Sequence, residues 1–166
     1  MAPMDDEVDE IVAAWQRERP DLDVGPLQVM SRLDRLAGVL GERRAAIFGR
    51  YDLRRHEFDV LAALRRAGTP FELTAGELAA RTYVTSGTMT SRLDGLTERG
   101  LVTRAADPVD GRLVRVTLTT AGRQLVDAAF AALVSAERDL LAPLPAGDLE
   151  PLAATLRQLL ARAVAS

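Results

Sequence analysis

The consecutive segments LTAGELAARTYV (73–84), TSGTMTSRLDGLTERGLV (85–102) and TRAADPVDGRLVRVTLT (103–119) read as helix, turn, helix and a charged two-stranded ribbon. Thr74 followed by Glu77 makes a capping box: the threonine oxygen accepts a free amide at the helix start, and the glutamate reaches back to the cap. Leu73 and Leu78 stand where a hydrophobic staple clamps such a start. Leu78, Ala79 and Thr82 then face a core. After a short turn, Thr85 or Ser86 caps a second helix. Its Met89, Leu93 and Leu96 recur at i, i+4 and i+7, which is one buried stripe. The opposite face carries Ser86, Gly87, Thr90, Ser91 and Asp94, small and polar side chains that let a backbone approach a ligand surface closely. Gly100 falls at the C′ position that ends a helix.

Leu101–Arg104 and Arg112–Leu118 read as β, joined by the turn-rich Asp107-Pro-Val-Asp-Gly111, so they predict a hairpin with a charged tip. A long duplex groove admits a helix, and Ser and Thr bond to base edges or phosphates. The stretch therefore predicts a winged-helix reader of double-stranded DNA. Its candidate contacts are Thr85, Ser86, Gly87, Thr88, Thr90, Ser91 and Arg92 on the second helix, and Arg112 at the wing tip. A Gly-bounded hairpin with a projecting Arg suits a minor groove, and Asp110 is placed to hold that Arg.

The 166 residues suit one domain, or one domain with an interaction arm. Net charge is −3, so a nucleic-acid partner must be met by local positive charge. From Arg81 to Arg115 six Arg face four acids (Asp94, Glu98, Asp107, Asp110), a local excess of +2. All 21 Lys+Arg residues are Arg, the better phosphate fork. The absence of Cys removes disulfides, thiolate metal sites and thiol redox sensing, and fits a cytoplasmic protein. The acidic MAPMDDEVDE start carries no apolar core, so no signal peptide is expected. No apolar run approaches the ~18 residues of a membrane span. His56, expected exposed, is the single His, and with no Cys a transition-metal sensor is not expected; the carboxylates are scattered and point to no Ser-His-Asp set around it. No cofactor, metal, catalytic residue or membrane partner is expected, and the chain does not read as an enzyme.

Outward from the reader, the chain is expected to be mainly α with a small β-wing, flanked by N- and C-terminal helices forming a dimerisation region. Residues 1–50 hold an amphipathic helix at 5–18, with Val8, Ile11, Val12 and Trp15 on one face. A long helix at about 26–50 follows, with Leu27, Met30, Leu33, Leu36, Ala37, Leu40 and Ile47 inward. Residues 51–120 form the DNA-binding core, opening on helix 54–67 with Phe58, Leu61, Ala62 and Leu64 buried. Arg54 stands where its cap would be, so Asp52 is the expected substitute. Residues 121–166 hold two further helices. The first runs to about Leu141 with Leu125, Ala128, Ala129, Ala132 and Leu133 near one face. The second is capped by Asp148 and carries Leu149, Leu152, Leu156, Leu159, Leu160 and Ala163. A stripe that apolar needs cover, and a second copy of the chain supplies it. A homodimer would read a pseudo-palindrome with half-sites roughly 34 Å apart.

The pattern Glu57-Phe-Asp-Val-Leu61, Leu73-Thr-x-x-Glu-Leu78-Ala, Ser86-Gly-Thr-Met-Thr90, Arg92-Leu-Asp94, Arg99-Gly-Leu-Val102, Asp107-Pro-x-Asp-x-Arg112 and Val116-x-Leu-Thr119-x-x-Gly122 resembles the MarR family over residues 53–122. The resemblance implies a winged-helix homodimer with both chain ends at the interface, and repression relieved by a small, often phenolic or anionic, ligand. Trp15 in an added first helix, followed by Arg19-Pro-Asp-Leu-Asp23, is similar to the urate-responsive, PecS-like branch. That branch implies a ligand site on Trp15, Asp59 and Arg104, coupled to Arg92.

Each of these residues also has a plainer reading. Asp59 is either an exposed helix-edge acid or a partly buried carboxylate that must be paired, with Arg92 the natural partner. Trp15 is core packing or a ligand platform, and Arg104 a strand-edge charge or a ligand anchor. Urate, another purine, a carboxylate such as aconitate and a phenolic compound all remain open as effectors. The rival from another class is a winged-helix protein-interaction module without DNA binding.

Overall fold

A computed structural model describes residues 6–165, which fold as two compact units dividing after Arg55. In the first, α1 (Glu7–Glu18) and α2 (Leu27–Gly49) are the two helices. Residue 5, where α1 was expected to start, lies outside the described residues. Asp6 caps α1, accepting the Val8 amide at 2.8 Å, while Asp9 takes the Asp6 amide at 3.0 Å. Arg32 of α2 then bridges both carboxylates, at 2.9 Å to Asp6 and 2.8 Å to Asp9. Val8, Val12 and Val24 are buried together, with Leu27 packed against them. Trp15 does not join that stripe: it is 50% exposed. Along α2 only Ile47 and Phe48 are buried, and Met30, Leu36 and Ala37, expected inward, are exposed.

The second unit runs α3 (Arg55–Arg66), β1 (Glu72–Thr74), α4 (Ala75–Arg81), α5 (Ser86–Glu98), β2 (Val102–Ala106), β3 (Val114–Leu118), α6 (Thr120–Leu141) and α7 (Leu149–Ala165). Phe58, Leu61, Ala62 and Leu64 of α3 are buried as the spacing predicts. His56 is half-buried rather than exposed. The expected ribbon is a three-stranded antiparallel sheet in the order β1-β3-β2, with Leu73 opposite Val116 and Arg104 opposite the other edge of Val116. The added strand has three residues, too few to display the period-2 alternation that marks a strand.

Thr119 caps α6 by accepting the Gly122 amide at 3.0 Å. The buried stripe of α6 is Gly122, Val126, Ala129 and Leu133. Ala128 is exposed, and Leu125 and Ala132 are only half-buried. The start of α6 approaches the loop before β2 closely: a Cβ on Gly122 would lie 2.1 Å from the Leu101 carbonyl oxygen. Beyond the corner at 143–147, Asp148 belongs to a short 3-10 turn (Ala146–Asp148), and its amide bonds to the Pro145 carbonyl at 2.9 Å. It therefore sits within that turn, not outside α7 as a simple cap. The stripe on α7 has no buried residue. Among the described residues no helix is long and apolar enough to cross a membrane.

Candidate nucleic-acid interface

Local capping builds the reading face. Thr74 accepts the Glu77 amide at 3.2 Å, and Glu77 returns the favour to the Thr74 amide at 2.7 Å. That amide holds the Glu77 carboxyl below its usual range. After α4 the chain turns through Tyr83 at φ 54°, and Thr85 caps α5 by accepting the Thr88 amide at 3.3 Å. Met89, Leu93 and Leu96 are buried and fix the rotation of α5. Gly100, at φ 67°, lets the Leu101 amide reach the Leu96 carbonyl at 3.0 Å and close the helix.

The anchored stripe leaves Thr85, Ser86, Gly87, Thr88, Thr90 and Ser91 exposed, while Arg92 is half-buried. Two of the hydroxyls are parked on the helix itself: Thr90 donates to the Ser86 carbonyl at 3.1 Å and Ser91 to the Gly87 carbonyl at 3.4 Å. A hydroxyl keeps acceptor capacity outward in that state and rotates to donate when a partner arrives. Tyr83, two residues before the Thr85 cap, is 96% exposed, and its phenol is a free-standing donor and acceptor.

Arg112 is exposed in the turn between β2 and β3. Asp110 bonds the backbone amide of Arg112 at 3.1 Å, so it fixes the chain at that residue. A deeper acid organises the turn. Asp107 is 7% exposed; one oxygen accepts the Val109 and Asp110 amides at 2.7 and 3.0 Å, and the other takes the Arg115 guanidinium at 2.6 Å. Those two amides, then Arg115, lower the Asp107 carboxyl to about 2. Because the folded value lies below the ordinary 3.8, the stabilisation is complete above the ordinary value and is lost as pH falls toward 2. Amide protection at Val109 and Asp110, followed by hydrogen exchange, is expected to hold level above about pH 5 and collapse in that acid window.

The expected ligand residues are placed differently from one another. Arg104 on β2 pairs with Asp94 on α5 at 2.8 Å. Asp59 is exposed on α3, and no ion pair joins it to Arg92 among the described residues. A hollow of about 300 Å³ opens between α3 and α6, lined by Phe58, Ala62, Arg65, Val126, Asp127 and Phe130. None of Trp15, Asp59 and Arg104 lines it.

The sequence model described as the MarR family matches residues 51–113. The chain is similar to the HTH-type transcriptional regulator PecS of Dickeya dadantii, with 37% identity over 137 residues and 82% of each chain covered. Among solved structures it resembles a probable transcriptional regulator from Pseudomonas aeruginosa, at 33% identity and TM-score 0.61, covering 81% of this chain and 96% of that one. The fold also matches MepR of Staphylococcus aureus in a complex with DNA, at 24% identity and TM-score 0.71, covering 81% and 98%.

Proposed function

The chain belongs to the MarR family, on its PecS-like branch, and we propose that it is a repressor that binds an operator as a homodimer and is released by a small anionic or aromatic ligand. It is a DNA-binding transcriptional regulator of the MarR type. The observation that carries the reading is the outer face of α5. Ser86, Gly87, Thr90 and Ser91 lie exposed together on a helix whose other side is locked in the core. The acid on that face, Asp94, is neutralised by Arg104, which weakens the rival reading of a protein-interaction module with an acidic surface.

Uncovered apolar stripes support the homodimer. On α7, Leu152, Leu156 and Leu160 are 44%, 40% and 67% exposed, and on α2 Met30 is 57% exposed. Monomeric soluble proteins rarely leave such stripes open. Leu156→Glu is expected to turn a dimer into a monomer in analytical ultracentrifugation; an unchanged dimer would remove α7 from the interface.

For the ligand, Arg104 is the strongest anchor. An anion that competes with Asp94 for its guanidinium would release an acid on the reading helix, beside the phosphates it must approach. Asp59 and Arg92 lack the direct pair first expected between them, so the Arg104–Asp94 pair is the more economical route. A coupling of ~1–3 kcal/mol changes DNA affinity about five- to 150-fold. The test is operator binding with and without urate, a carboxylate and a phenol. Release by one of them supports the reading, and indifference to all three ends the ligand assignment while leaving the regulator intact.

A further inference from the structure

We infer that Asp107 is a positioning residue for DNA binding: with Arg115 and Glu72 it clamps the wing turn so that Arg112 is presented at a fixed reach. The inference rests on the DNA-binding reading and adds to it a device that holds the wing before DNA arrives. Asp107 is the one buried charged residue among those described. A turn flanked by exposed residues does not need a buried carboxylate for its own solubility, and burying one requires partners. Here every partner lies along one line from the sheet to the tip. Glu72 on β1 accepts the Thr117 hydroxyl at 2.8 Å and the Arg115 guanidinium at 2.6 Å. Arg115 on β3 reaches Asp107 at 2.6 Å. Asp107 gathers the amides of Val109 and Asp110, and Asp110 gathers the amide of Arg112. Backbone bonds close the same loop: the Asp107 amide meets the Leu113 carbonyl, and the Leu113 amide meets the Asp110 carbonyl, each at 2.9 Å.

Pre-ordering matters because an Arg that enters a groove loses side-chain and loop freedom on binding, and a loop already fixed loses less. Asp107→Asn tests this with little change of shape. The amide oxygen still accepts from one side, but its NH2 then confronts either Arg115 or the turn amides, donor against donor. The side chain of Arg112 is untouched.

The experiment measures binding to a duplex selected by the wild-type protein from a random pool, at several salt concentrations. The proteins are wild type, D107N, R112A and the double variant, with thermal melting to confirm folding. D107N is expected to bind about tenfold more weakly and to add nothing in the R112A background. Its salt slope should shift toward that of R112A, which loses about 0.9 for the one phosphate charge no longer neutralised. A merely structural role would lower the folded fraction without moving the slope of the folded protein. Wild-type binding by folded D107N, or losses that multiply in the double variant, would overturn the proposal.

Hydrogen exchange separates this from failure of the DNA reading. In D107N the Val109 and Asp110 amides should lose protection while Thr103 and Thr117 keep theirs; unchanged protection overturns the clamp even if no duplex is ever selected. Should D107N not fold, Glu72→Gln takes its place. An expected loss of about threefold should be absent in the R112A background, and a loss that persists there sinks the idea.

Discussion

Gly122→Ala is expected to destabilise the protein by about 3 kcal/mol, lowering the melting temperature by roughly 6–12 °C. Helix propensity argues the other way, since Ala is favoured over Gly by ~1 kcal/mol inside a helix. Sterics decide. A Cβ at this position would stand 2.1 Å from the Leu101 carbonyl oxygen and 2.9 Å from Leu118 Cδ1. The first is backbone and cannot swing away. Relief would require the first turn of α6 to move away from the Leu101 backbone, disturbing the burial of Val126 and Ala129 further along the helix. Gly38→Ala is the control: its Cβ would meet nothing within 4 Å, so propensity acts alone there and a gain of ~0.5–1 kcal/mol is expected. Thermal melts of both variants settle the point. Equal shifts in the two would mean that the close approach at Gly122 has no energetic weight.

Ser86→Glu is expected to reduce DNA affinity by about 100-fold while leaving the melting temperature level or slightly raised. Ser86 is the first residue of α5, just inside the Thr85 cap. An acid there complements the helix dipole and favours the helix by ~0.3–1 kcal/mol. The same acid would face phosphates on a surface that is otherwise small and nearly uncharged. The two effects have opposite signs, so a loss of binding cannot be assigned to misfolding. Wild-type affinity in a folded S86E protein would move the DNA contact off this face.

What the sequence made legible was whatever a few neighbouring residues decide. The Thr74–Glu77 box, the Thr85 cap, the Met89–Leu93–Leu96 stripe and the Gly100 stop each depend on groups within one or two helical turns, and each is present. Longer-range geometry was not legible. Strand β1 exists because Leu73 meets Val116 across 43 residues, and nothing in three residues announces it. The close approach of Gly122 to the Leu101 carbonyl is likewise not legible in the local pattern, because the two meet across the chain.

Charge pairing behaved alike. Asp59 and Arg92 were matched by chemistry and resemblance, whereas Arg104 sits against Asp94 because β2 runs back beside α5. Asp107 was the more readable omission. An Asp two residues before a turn's amides is a known acceptor of them, and Asp107-Pro-Val-Asp was read only as a turn. The apolar face of α7 is one that needs cover, and among the described residues none of its side chains is buried; on α2 Met30, Leu36 and Ala37, expected inward, are exposed as well.

The exposed face of α5 and the wing are together expected to read duplex DNA. The most direct measurement is equilibrium binding of the purified protein to a duplex from random-site selection, titrated at two salt concentrations. The expected result is a two-fold symmetric site whose affinity falls steeply with salt, the logarithm of the binding constant dropping by about 0.9 per phosphate neutralised for each tenfold rise in salt. Failure to select any duplex, or binding that ignores salt, would contradict it and return the winged helix to the class of protein-interaction modules.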